Sequence, residues 1–397
     1  MIKENIKSID TSVQTSRYIG QFKGGLDGPT LIFIAGMHGN EPSGIFALRK
    51  VISELESKKW LYRGNLYAIS GNLPALSKGV RYIKQDLNRL WTNENIKNIE
   101  GQENLNLSIE SQELKDICHN IKSILNNEKG PFYFFDLHTT SSKTIPFITV
   151  NDSLLNRKYT SQYPVPIILG IEEYLEGALL SYINELGYIA FGFEGGQHDD
   201  PASVDNHISF INLSLVLSGS LKKHEIDFKK HYSHLFQNTG KFRAFYEIFK
   251  RYEIRPFEDF KVDAGYNNFQ LVQKGQRIAQ SNGKSILTSQ QSRIFMPLYQ
   301  GKGNDGFFMI RKVPKLFLNI STFLRKIKFD KILPILPGVK WASSKKDELV
   351  VDLKIARFFT KKFLHLLGYR SRHVGKTHLR VKNREAASRD SEYRSTL

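Results

Sequence analysis

A single cysteine, Cys118, in 397 residues excludes an internal disulfide and fits a reducing compartment. It falls in the amphipathic pattern Ser111-Gln112-Glu113-Leu114-Lys115-Asp116-Ile117-Cys118-His119, which predicts a core position on a helix. No window approaches the roughly 18 uninterrupted apolar residues of a membrane-spanning helix. The opening residues Met1-Ile2-Lys3-Glu4-Asn5 lack the apolar stretch of a secretory signal, so the expected location is the cytoplasm. Acidic residues are scarce in one region. From Lys315 to Leu397 there are 7 Asp+Glu against 20 Lys+Arg, a net +13 that leaves only +5 of the chain's +18 to the other 314 residues. No nucleic-acid recognition motif accompanies that charge, so nucleic acid is not an expected partner.

What the chain does have is chemistry at strand ends. Leu31-Ile32-Phe33-Ile34-Ala35 reads as a buried strand, and Gly36-Met37-His38-Gly39-Asn40-Glu41 as the turn that leaves it. In an open α/β sheet such a turn lies at the carboxyl end of a strand, where ligands collect. Imidazole nitrogen and carboxylate oxygen both suit zinc, and a catalytic zinc site takes three protein ligands. His38 and Glu41 would be two of them. A second apolar strand, Pro131-Phe132-Tyr133-Phe134-Phe135, runs through Asp136-Leu137 into His138, a candidate third ligand with Asp136 as a group to orient an imidazole. The alternative is that both histidines only hydrogen-bond within loops.

Two further segments bear on the site. Arg81-Tyr82-Ile83-Lys84-Gln85-Asp86-Leu87-Asn88-Arg89 places two arginines in a short aperiodic stretch. Arginine's planar fork suits a carboxylate substrate; a plain ion pair of Asp86 with Arg81 or Arg89 is the competing reading. Tyr188-Ile189-Ala190-Phe191-Gly192-Phe193-Glu194-Gly195-Gly196 is another strand that ends in a carboxylate able to move protons for a zinc-activated water. Glu172 and Glu173 compete for that role, although they read as first-turn residues of a helix over 171–186.

Taken together, G-x-H-G-N-E-x-x-G, R-Y-x-x-x-D-L-N-R, D-L-H-x-T and a strand-end glutamate followed by glycine resemble the succinylglutamate desuccinylase/aspartoacylase family over residues 30–310. That family is related to the zinc carboxypeptidases and removes acyl groups from N-acylated amino acids. The resemblance implies Zn2+ held by His38, Glu41 and His138, with Glu194 as general base and acid. It implies Arg81 at the oxyanion, Asn88 and Arg89 on the substrate's α-carboxylate, and a tyrosine from a second domain, for which Tyr299 is the candidate; a buried strand tyrosine is the alternative. One departure stands out. Aspartoacylases carry an arginine about ten residues before the catalytic glutamate, and this chain has none between 170 and 194. A neutral or basic amino acid is therefore expected in the substrate, unless Lys274, Arg277, Lys284, Arg293 or Lys302 supplies the cation. His198, in the loop after Glu194, maps to no family role.

Strands are expected near 30–35, 65–70, 132–137, 145–150, 166–169 and 188–193, and helices near 43–57, 109–127, 171–186 and 203–218. The alternation predicts an α/β fold with a mostly parallel sheet flanked by helices, and the resemblance implies the zinc-carboxypeptidase-like mixed form of it. Thr92–Leu107 reads as a polar excursion. The expected divisions are a catalytic domain over 1–225, a small β-domain over 245–313 and a basic extension over 314–397, with 371–397 lacking periodicity and expected to be disordered. Ile332-Leu333-Pro334-Ile335-Leu336-Pro337, Ile355-Ala356-Arg357-Phe358-Phe359 and the segment 349–368 combine apolar residues with lysines. They could pack on their own protein or meet a membrane surface peripherally. The expected function is a zinc-dependent deacylase of a small N-acyl amino acid. A peptide carboxypeptidase, or a non-catalytic carboxylate-binding or membrane-docking protein, is the alternative.

Overall fold

The structure, a computed structural model, describes residues 16–58, 60–101, 107–356, 361–374 and 377–394. Fourteen strands precede the basic C-terminal region. They are β1 Tyr18–Lys23, β2 Leu26–Ala35, β3 Arg63–Ser70, β4 Phe132–Thr140, β5 Phe147–Val150, β6 Ile167–Leu169 and β7 Ile189–Gln197. These are followed by β8 Phe245–Glu253, β9 Phe260–Val262, β10 Leu271–Val272, β11 Arg277–Ser281, β12 Lys284–Leu287, β13 Ser292–Phe295 and β14 Asp305–Lys312. Eleven of them form one mixed sheet in the order β1-β3-β2-β4-β7-β5-β6-β8-β14-β13-β10, while β12, β11 and β9 make a small antiparallel sheet. The expected mostly parallel mixed sheet flanked by helices is therefore present, with β3, β2, β4 and β7 as its parallel centre.

The central strands are near-continuous apolar runs because both faces are covered. Leu31, Phe33 and Ala35 of β2 join one core with Leu48 and Val51 of the helix Ser43–Ser57 and Phe210 of the helix Ala202–Leu217. Ile32 and Ile34 join the opposite core with Ile117, Cys118 and Ile121 of the helix Ile109–Asn127. Cys118 is buried there as expected. Full burial of one such side chain stabilises by about 1.5–3 kcal/mol, so a slip of β2 by one residue would misplace the whole set.

Three expectations need correction. The single helix over 171–186 is a 3-10 turn at Ile171–Glu173 and a separate helix at Leu179–Glu185. Gly177 interrupts it with φ +69°, and a Cβ there would meet the Arg89 carbonyl oxygen at 2.1 Å. Its own carbonyl accepts a hydrogen bond from Trp91 N. The polar excursion after Thr92 begins as a helix, Asn93–Glu100, capped by the Thr92 hydroxyl on Asn95 N; part of that excursion, 102–106, lies outside the described residues.

The third correction is the C-terminal stretch. Strands β15 Val339–Trp341, β16 Glu348–Asp352, β17 Tyr369–Val374 and β18 His378–Asn383 form a four-stranded sheet in the order β15-β16-β18-β17. Further on, Tyr393 is fully buried, packs edge-on against Tyr133, and accepts a hydrogen bond from Ile189 N while donating to Phe132 O. This ring holds the segment against β4 and β7, Arg389 adds bonds to the Leu186 and Gly187 carbonyls, and such isolated anchors leave no periodic trace in the sequence. Of the apolar patch at 355–359, Arg357, Phe358 and Phe359 lie outside the described residues. Among the described residues no helix is long and apolar enough to cross a membrane.

Candidate metal centre and active site

The turn after β2 is shaped by backbone crowding. Gly36 adopts φ +72°, and a Cβ on Gly39 would sit 2.1 Å from the Ala75 carbonyl carbon, in the helix Leu73–Lys78. Only a residue without a side chain lets the turn lie against that helix, which delivers His38 and Glu41 to the carboxyl edge of the sheet. The neighbouring parallel strand β4 brings His138 to the same edge. In the next parallel pair, His138 stands opposite Glu194 of β7.

His38, Glu41 and His138 are all buried, and one donor atom from each lies within 4.8 Å of the others. Nδ1 of His38 is 2.9 Å from Oε1 of Glu41, and Nδ1 of His138 is 2.9 Å from Oε2 of the same carboxylate. Each ring turns its other nitrogen to a second carboxylate. Nε2 of His38 lies 3.2 Å from Oδ1 of Asp86, and Nε2 of His138 lies 2.8 Å from Oδ2 of Asp136. A carboxylate behind an imidazole fixes the ring and raises its basicity. Asp136 stands as the sequence suggested. Asp86 was read only as a candidate ion-pair partner, which it also is, since Arg81 Nη2 donates to its Oδ2 at 2.9 Å. Its place behind His38 could have been suspected from the D-L-N-R motif but not from spacing.

The electrostatics suit a cation. Glu41, Asp136 and Glu194 are buried beside two imidazoles and one permanent cation, Arg81. Burial alone would raise the Glu41 carboxyl, but His38 and His138 overcome it and hold its pKa well below the usual range. Burial likewise opposes protonation of His138, yet Asp136 and Glu41 keep its pKa well above the ordinary histidine value. Burial dominates at Glu194 and pushes its carboxyl up to about 8, against the pull of His138. Glu194 Oε2 is buried with no hydrogen-bond partner among the described residues, as is Arg81 Nε. Both Asp136 oxygens also lack an aligned hydrogen bond, the 2.8 Å approach of His138 being an ion-pair contact, so unengaged acceptors and one unengaged donor flank the three-donor pocket.

The remaining sequence candidates fall in and beside an adjoining cleft. Arg81, Asp86 and Arg89 line a cavity of about 960 Å³ together with Tyr174, Arg251 and Asp305. Asn88 is turned partly into structure, its Oδ1 accepting from Leu179 N at 2.9 Å. Arg89 donates from Nη1 to the Asn88 carbonyl and from Nη2 to Asp305 at 3.2 Å. Asp305 also accepts from Arg251 Nε at 2.6 Å. Arg251, on β8, is a cation in this cleft that the sequence reading missed; in the sequence it is far from the arginine-bearing motif and is not among the five candidates named from the β-rich segment. Tyr299 points its hydroxyl elsewhere, accepting from Tyr266 N and donating to Asp263 O, each at 2.9 Å. Its neighbour Gln300 reaches the rim instead, where Oε1 accepts from Asn40 Nδ2 at 3.1 Å and lies 3.3 Å from His198 Nε2. His198 Nδ1 lies 2.8 Å from the Thr139 hydroxyl, so this histidine ties the loop after β7 to the residue next to His138. Glu172 and Glu173 are committed to Arg384 of the C-terminal region.

A buried His-Glu-His pocket at the carboxyl edge of a mostly parallel mixed sheet flanked by helices defines the α/β class of this chain. Within it, residues 27–208 match the model of the succinylglutamate desuccinylase/aspartoacylase catalytic domain, so the family read from the motifs holds for this segment. The chain is 33% identical to the aspartoacylase of Xenopus tropicalis over 126 residues, covering 30% of this chain and 36% of that protein. It is 30% identical to the succinylglutamate desuccinylase of Pseudomonas putida (strain GB-1) over 115 residues, covering 29% of this chain and 31% of that one. The chain thus spans about a third of the length of these curated relatives. A solved succinylglutamate desuccinylase/aspartoacylase from Rhodobacter sphaeroides shares the fold, with TM-score 0.54, 15% identity, and coverage of 74% of this chain and 88% of that one.

Proposed function

We propose that this chain is a zinc-dependent deacylase that hydrolyses the amide of a small N-acyl amino acid. The observation that carries the reading is the convergence of three metal-capable donors with a buried, unengaged glutamate oxygen on the adjacent parallel strand. His38 and His138 would hold the ion through Nδ1 and Glu41 through its carboxylate, with Asp86 and Asp136 fixing the rings. The bound metal supplies a Lewis acid for the acyl carbonyl and acidifies water. In its ionised form, which a bound cation would favour against burial, Glu194 takes a proton from the attacking water on its free oxygen as the water oxygen bonds to the acyl carbon. Arg81 faces the developing oxyanion. When the carbon–nitrogen bond breaks, the same proton passes from Glu194 to the departing amine. Asn88 and Arg89 receive the α-carboxylate, which must compete with Asp305 for the Arg89 fork. Tyr299 stays a weaker candidate for substrate contact, its hydroxyl being bound within the β-rich segment. The divisions at 1–225, 245–313 and 314–397 and a cytoplasmic location belong to the same proposal.

Amine release should be followed with N-acetyl, N-succinyl and peptide substrates side by side; cleavage of the peptides alone would make the chain a carboxypeptidase. Arg89→Lys keeps the charge but replaces a fork with a point donor. KM is expected to rise roughly tenfold, the loss of one charge-assisted hydrogen bond. Because Asp305 already balances the nearby Arg251, N-acyl derivatives of neutral or basic amino acids should be cleaved at least as well as N-acetylaspartate or N-succinylglutamate. A strong preference for the acidic substrates would contradict this and point to Arg251 as the side-chain reader.

A further inference from the structure

The helix Lys315–Lys326 is turned inside out. Its buried residues are Ser321 and Arg325. Arg325 reaches inward to Asp152 and Glu385, and the Ser321 hydroxyl donates to the Leu366 carbonyl. Leu318 and Leu324 pack inward beside them, but the other large apolar side chains face outward. Leu316, Ile320, Phe323 and Ile327 recur at spacings of four, three and four, one stripe of a 3.6-residue helix, and are 65%, 40%, 62% and 53% exposed. Phe317 flanks the stripe, and the following turn adds Ile332, Ile335 and Leu336, all exposed. An ordinary surface helix buries its apolar stripe against the core. Here Ser321 and Arg325 anchor the inner side together with Leu318 and Leu324, and the outer apolar stripe is left without a partner among the described residues.

We propose that this face is a docking surface for an anionic lipid membrane, with the helix lying in the plane of the headgroups. Charge complementarity selects that occupant. Lys312, Lys315, Lys326, Lys328 and Lys331 are all exposed around the apolar stripe. Asp330, the one acidic residue between Lys312 and Leu336, is taken up by Tyr369 and Asn383. Apolar residues entering the acyl boundary with lysines at the phosphates is the arrangement of an interfacial helix. A second copy of the chain fits poorly, because a two-fold contact would bring the same lysines against one another. The surface is independent of the metal centre. It would fix the enzyme on a bilayer through the same C-terminal region that grips the catalytic sheet.

The test is sedimentation of the full chain with vesicles of phosphatidylcholine containing roughly 30% phosphatidylglycerol, against vesicles of phosphatidylcholine alone. Binding to the anionic vesicles is expected, weakened at about 0.5 M salt. Phe323→Glu with Ile327→Glu should abolish it while the melting temperature stays put, since both side chains are exposed. If that pair misfolds, Lys326→Gln, Lys328→Gln and Lys331→Gln are expected to weaken binding about fivefold for each lysine removed. No binding to the anionic vesicles, or binding indifferent to both sets of variants, would overturn the proposal. So would a dimer in light scattering that Phe323→Glu dissociates, because a second copy would then cover the face.

Discussion

Glu194→Gln is expected to lower turnover by about 10²–10⁴-fold while the protein keeps its metal. The amide fills the same space and can still accept a hydrogen bond, but it cannot take a proton from water. Glu194 is opposite His138 in the strand pairing and is buried, with Oε2 unengaged. Nothing structural depends on that oxygen, so stability should change little. Glu172→Gln separates this role from the alternative. Glu172 accepts from Arg384 Nε at 2.9 Å in a buried pair, so its loss should appear as lower stability rather than lost chemistry. If Glu172→Gln stopped turnover and Glu194→Gln did not, the assignment of the proton carrier would be wrong.

The second large effect is expected at Arg325. Its side chain is 1% exposed and joins Asp152 at 2.9 Å and Glu385 at 3.1 Å. Asp152 is also gripped by Arg157. Burial by itself would raise the Asp152 pKa, and Arg157 and Arg325 overcome it and hold the carboxyl far below its usual range. Arg325→Ala removes one partner of a buried pair and should cost about 3–5 kcal/mol in denaturant unfolding. The pH dependence has a definite sign. A carboxyl whose folded pKa is depressed contributes its full stability above the unfolded value, near 3.9, and loses it as pH falls toward the folded value. Acid should therefore destabilise the native protein from about pH 5 downward, and the slope should flatten in Arg325→Ala. An unchanged denaturation midpoint in that variant would show that the C-terminal region is not fastened to the sheet in this way.

The large sheet was legible because its strands, such as Leu31–Ala35 and Phe132–Phe135, are buried apolar runs ended by glycine or polar turns. His38, Glu41, His138 and Glu194 were legible because each follows such a run, and strands that run parallel must end on one edge. What stayed hidden depends on pairings across long sequence gaps. Asp86 behind His38 and Arg251 beside Asp305 are set by the meeting of distant segments; the D-L-N-R motif hints at the first, and nothing local marks the second. The break at Gly177 follows from its close approach to the Arg89 backbone, which no helix propensity records. The basic C-terminal region misled for a different reason. Its last part, 371–397, lacks periodicity and was expected to be disordered, yet Arg384 is spent inside the protein and Tyr393 is a buried ring.

His38, Glu41 and His138 together are expected to hold one metal ion. Elemental analysis of the purified protein, alongside His138→Ala, measures it directly. The expected result is about one zinc per chain in the unmodified protein and little in the variant, because two donors cannot replace three. Stoichiometric zinc in His138→Ala, or none in the unmodified protein after incubation with zinc, would contradict it.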